Sequence, residues 1–154
     1  MQFIIEYVSK AAKRIITDST TMYENRKRVL VVDDDEGVRL FIKEVMRNAG
    51  WDVYEAENGR EALERTAFDI PDLIILDVMM PEVDGFAVFR ELRQNFFTKR
   101  VPVIMLTAIN DSRQQDKLNE SGVEKELGVS RPEAFVDKPV DPEYLLNTIM
   151  GVVG

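Results

Sequence analysis

Short runs of branched apolar residues recur along this chain, and several stop at charged side chains. Val29 to Val32 ends at Asp33 and Asp34, and Leu73 to Leu76 ends at Asp77. The run from Ala134 ends at Asp137 and Lys138, just before Pro139. Runs this short and this apolar suit strands covered on both faces, the condition of a parallel sheet. Parallel strands need long crossovers, and the stretches between the runs carry the spacing of amphipathic helices. The pattern predicts an α/β domain, a five-stranded doubly wound parallel sheet with a strand–helix unit repeated five times. Strand carboxyl ends form the mouth of such a sheet, where ligands bind.

In detail, strands are predicted at Val29–Asp33, Trp51–Ala56, Leu73–Asp77, Val101–Thr107 and Ala134–Asp137. The first helix runs from Asp35 to Ala49, with Val38, Phe41, Ile42, Val45 and Met46 on one face and Gly50 as its stop. Asn58 caps a second helix reaching Ala67. After a turn-rich loop, Pro81 to Gly85, a third runs from Phe86 to Asn95. A last helix, capped by Asp141, runs from Pro142 to Met150. Gly85 reads as a turn glycine supplying positive φ, and Met79, Met80 and Met105 read as core.

Ahead of this domain, assigned to residues 28–151, lies an extension over residues 1–27. Ile4, Ile5, Val8, Ala11, Ala12, Ile15 and Ile16 give it an amphipathic helical face, followed by a polar linker. The first 21 residues read equally as a mis-called start, a connector from an upstream module or a genuine helix. A genuine helix needs a partner for that face, expected to be a second copy through residues 1–21 or the main domain rather than a membrane surface.

The chain has neither cysteine nor histidine, which removes disulfides, thiolate metal sites, the usual zinc ligand and the commonest general base. Its net charge of -8 argues against nucleic acid as the main partner. No stretch approaches a membrane span and no secretory signal opens the chain, so a cytoplasmic location is expected. Chemistry must then run on carboxylates, hydroxyls and lysine. Asp77 can attack phosphorus as a nucleophile, giving an acyl phosphate, provided its repulsion for the phosphoryl group is neutralised. Asp33 and Asp34 can hold Mg²⁺, Lys138 offers a mobile ammonium, and the Thr107 hydroxyl can bond a phosphoryl oxygen. Asp35 fits a helix cap.

Four motifs, Val31-Val-Asp-Asp34, Leu76-Asp-Val-Met-Met-Pro-Glu-Val-Asp-Gly85, Met105-Leu-Thr-Ala108 and Val136-Asp-Lys-Pro139, together resemble the receiver domain of bacterial two-component response regulators, of the chemotaxis-regulator type. The resemblance implies a flavodoxin-like fold and transfer of a phosphoryl group onto Asp77 from a sensor histidine kinase or histidine phosphotransfer protein. It implies Mg²⁺ held by Asp33, Asp34, Asp77 and the backbone carbonyl of Met79. It also implies that Thr107 and Phe135 rearrange on phosphorylation, altering a surface for a downstream protein, and that Lys138-Pro139 is cis. Phe135 lacks the hydroxyl of tyrosine-bearing relatives, so it would switch by packing alone. The segment between Thr107 and Lys138 is longer than the family's usual one. A stand-alone receiver or phosphorelay intermediate without an output domain is expected, a receiver excised from a hybrid kinase or larger regulator fitting equally. Its catalysis is expected to act only on its own aspartate. An aspartyl-nucleophile phosphatase is disfavoured, because such enzymes place a second acid where Met79 stands. Met79 and Ile109, both apolar, cannot orient an attacking water, which predicts slow self-dephosphorylation.

Overall fold

The computed structural model describes residues 26–108 and 130–154. Strands β1 (Arg28–Val32), β2 (Asp52–Ala56), β3 (Leu73–Asp77), β4 (Val103–Ala108) and β5 (Ala134–Lys138) form one parallel sheet, ordered β2-β1-β3-β4-β5. The described helices are α1 (Glu36–Asn48), α2 (Gly59–Phe68), α3 (Gly85–Gln94) and α4 (Pro142–Val153). The order reverses between β1 and β3, which sends crossovers to both faces and opens a crevice at their carboxyl ends.

Alternate strand residues sort into two cores. Leu30, Val32, Ile74, Leu76, Val103 and Met105 pack with Ala62 of α2 and Val88, Phe89 and Leu92 of α3. Val29, Val31, Leu73, Ile75, Ile104 and Leu106 pack with Ile42 and Met46 of α1 and Leu145 and Ile149 of α4. With both faces covered, the runs carry no polar alternation. Each side chain of this size contributes about 1.5–3 kcal/mol by leaving water.

The helix starts follow local signals. Asp35, Asn58, Asp84 and Asp141 each accept hydrogen bonds from first-turn N–H groups of α1, α2, α3 and α4, and Pro142 occupies the first turn of α4. Gly50, at φ 91°, follows the end of α1 as its sequence position suggested. Two boundaries differ from the sequence reading by two residues or more. β4 begins at Val103 rather than Val101, since Pro102 has no N–H for the ladder, although its carbonyl accepts from Ile74 N at 3.0 Å. α4 continues past Met150 to Val153, where Val152 and Val153 pack on the core beneath α1 and α4.

The amphipathic stretch within residues 1–17, the pairing through residues 1–21 and most of the lengthened segment, Ile109 included, lie outside the described residues. Among the described residues no helix is long and apolar enough to cross a membrane.

Candidate functional site

Val32 lies beside Leu76 in the β1–β3 register, so Asp33 and Asp77 emerge as neighbours at the mouth of the sheet. Both continue the parity of Val31 and Ile75, toward the α1 and α4 side. Lys138 continues the parity of Val136 and arrives on that same side from β5. Its Nζ stands 2.7 Å from Asp33 Oδ2 and 3.1 Å from Asp77 Oδ1. The Lys138-Pro139 bond is cis, as the motif implied.

Asp33 and Asp77 are buried and Asp34 is exposed, yet one oxygen from each lies within 4.8 Å of the others. Burial raises the Asp77 pKa to about 6, helped by the charge of Asp33 and opposed by Lys138 and the Met79 N–H. For Lys138, burial alone would lower the pKa, but hydrogen bonding and charge from Asp33 and Asp77 outweigh it and the net shift is upward. The lysine therefore stays an ammonium through the neutral range.

This donor set fits a small divalent cation. All the ligand atoms are hard oxygens, and three carboxylates facing one ammonium leave excess negative charge. Asp33 Oδ2 adds a second sign. It is buried, and apart from the Lys138 ammonium at 2.7 Å it has no hydrogen-bond partner. A buried carboxylate oxygen in that condition has a free ligating position.

Neighbouring residues hold the acids in place. Asp33 Oδ1 accepts from Asp35 N at 2.9 Å, and Arg39 donates to the Asp33 carbonyl at 2.7 Å. The helix cap is Asp35, through Gly37 N at 2.8 Å and Val38 N at 3.2 Å, which leaves Asp33 free for the site. Gly85 differs from its sequence reading. The positive φ of the preceding loop belongs to Glu82, at 67°, and Gly85 is needed for space instead. A Cβ there would collide with the Asp77 carbonyl oxygen and lie 2.9 Å from both Asp77 C and Val78 Cα. α3 therefore starts against the backbone of the central acid.

Met80 and Met105 are core residues as expected, but Met79 is not: 47% exposed, it borders the site and donates its N–H to Asp77 Oδ1 at 3.4 Å. Phe135 is half-buried against the α2–α3 core rather than enclosed. Thr107 is buried beside the acids, since Leu106 is the register partner of Asp77. It has the opposite parity, however, and its hydroxyl donates to Asp137 Oδ1 at 2.8 Å. Asp137 had no role in the sequence reading. Only the register pairing Thr107 with Asp137 across β4 and β5 reveals it.

The family model for the response regulator receiver domain matches residues 29–150. The alkaline phosphatase synthesis transcriptional regulatory protein PhoP of Bacillus subtilis is 36% identical over 127 residues, 82% of this chain and 48% of that protein. The chain spans about half the length of the first curated relatives it matches. Among solved structures, the chemotaxis response regulator CheY4 of Vibrio cholerae superposes with a TM-score of 0.69 at 31% identity, covering 82% of this chain and 98% of that one. The signal receiver domain of a signal transduction histidine kinase from Syntrophus aciditrophicus gives 0.69 at 30% identity, covering 82% and 89%.

Proposed function

The chain belongs to the response regulator receiver family, and from that membership we propose that it takes a phosphoryl group onto Asp77 and reports the event through a protein-binding surface. The donor is a phosphohistidine on a sensor kinase or a histidine phosphotransfer protein. One observation carries the reading: Asp77 is buried at the mouth of the sheet with an ammonium 3.1 Å away and two further acids within 4.8 Å.

An Asp77 carboxylate oxygen attacks phosphorus, the P–N bond to the donor imidazole breaks, and that nitrogen leaves with the bonding pair and takes up a proton. The product is an acyl phosphate. Hydrolysis reverses the modification: water attacks phosphorus, the O–P bond breaks, and inorganic phosphate and the carboxylate are released. Asp33, Asp34 and Asp77, with the Met79 carbonyl, would hold Mg²⁺, which would supply positive charge for the phosphoryl oxygens. Lys138, kept protonated by its two carboxylate neighbours, offers the same oxygens a point charge. Positioning and electrostatics carry most of a phosphoryl transfer, so these few groups suffice, and catalysis is confined to the chain's own aspartate.

Incubation with acetyl phosphate and Mg²⁺, followed by intact mass measurement, tests the proposal. One phosphate adduct is expected on wild type and none on Asp77→Asn or on wild type in EDTA. An equal adduct on the variant would refute it.

A further inference from the structure

A hydroxyl has one hydrogen to give. In the present state the hydrogen of Thr107 goes to Asp137 Oδ1 at 2.8 Å, and a phosphoryl group on Asp77 would need that same hydrogen. We propose that Asp137 is a positioning residue, a latch that holds the Thr107 hydroxyl on β5 until a phosphoryl oxygen takes it away. The inference rests on Asp77 being the phosphoacceptor.

Several observations support a latch. Thr107 and Asp137 are register partners on adjacent parallel strands, with the same parity, so the bond follows from the sheet and not from a chance rotamer. Thr107 is buried, so its hydroxyl needs a partner in either state. Asp137 is exposed, and once released its carboxylate returns to water at little cost. The exchange is therefore balanced, with one buried donor and two competing acceptors. It is also placed to be felt elsewhere, because Asp137 lies between Phe135, half-buried on the α2–α3 core, and Lys138, paired with the acids.

Asp137→Val and Asp137→Ala remove the competing acceptor on an exposed position, lowering the melting temperature by no more than about 10 °C, the cost of one buried hydroxyl left without its partner. With acetyl phosphate and Mg²⁺, both variants are expected to form the Asp77 adduct roughly three- to tenfold faster, or to hold it that much longer, the range of one exposed charge-assisted hydrogen bond. Removing a negative charge could act without Thr107, so the same changes are made in a Thr107→Val background. A latch predicts that the effect vanishes there. Persistence of the effect in Thr107→Val, or rates for Asp137→Val and Asp137→Ala equal to wild type, would overturn it. Side-chain couplings of Thr107 in the unphosphorylated protein give a second readout. One fixed rotamer in wild type that becomes averaged in Asp137→Val supports the latch, and an unchanged rotamer opposes it. Failure of wild type to form any adduct would instead remove the phosphoacceptor reading itself.

Discussion

Asp77 combines burial with a like charge, and both oppose its ionisation. Its pKa of about 6 in the folded state exceeds the ordinary aspartate value of the unfolded chain. The folded protein therefore binds the proton more tightly, and folding stability falls as pH rises from about 4 to 6. Metal-free Asp77→Asn lacks this penalty and is expected to be more stable than metal-free wild type at neutral pH by about 1–3 kcal/mol, with the gap closing near pH 4. Chemical denaturation in EDTA across that range measures it, and a gap independent of pH would exclude the cause given. Met79 makes the second residue-scale prediction. Its exposed apolar side chain beside the acid offers no hydrogen bond to an attacking water. Met79→Asn should shorten the phosphorylated lifetime several-fold, measurable from decay of the adduct mass after the donor is removed. The acids and the lysine were legible in the sequence because each ends an apolar run. The exposure of Met79 was not, since it depends on how the chain leaves β3.

At the scale of elements, α3 is tied down at its last turn. In its last turn Arg93 is buried, stacks 4.6 Å from the Phe89 ring centroid and donates to the Val101 carbonyl at 2.8 Å. It also meets both Glu133 oxygens, at 3.0 and 2.8 Å, while Glu133 Oε2 accepts from Val103 N at 2.6 Å. One guanidinium thus joins α3, the start of β4 and the approach to β5. Arg93→Ala should cost about 2–4 kcal/mol, somewhat less than breaking a fully buried pair because Glu133 is partly exposed. Glu133→Gln, which keeps an acceptor for both partners, should cost less than half of that, and urea titration of the pair orders them. The helices themselves were readable from caps and periodicity, which are local. The Arg93–Glu133 bond spans 40 residues of sequence, and no local pattern announces it.

At the scale of the whole molecule, a cation at the acid cluster would join β1 to β3. A ligand that binds only the folded form stabilises it, by about 2.7 kcal/mol at a hundredfold excess over its dissociation constant. Saturating Mg²⁺ should then raise the melting temperature of wild type by roughly 5–10 °C and leave Asp33→Asn almost unmoved. An equal rise in both would place the ion elsewhere. The two cores explain why the fold was so legible: alternation within runs of about five residues sends the buried side chains of β1, β3 and β4 to one layer or the other. Thr107 shows where that legibility ends. Its place at a strand end was plain, but its hydrogen-bond partner follows from the β4–β5 register, fixed only once the strands have paired.

The tight seat of Gly85 against the Asp77 backbone has a mechanical consequence. With no room for even a methyl group there, α3 is seated directly against the end of β3, behind the Asp77 carboxylate. A phosphoryl group on Asp77, as proposed, would find no room to press backward into that helix. Compliance has to come from the opposite flank, where Thr107 and Asp137 share a single hydrogen bond at the sheet mouth. On the proposed function, the helix-backed flank would hold the phosphoryl group and the hydrogen-bonded flank would respond to it.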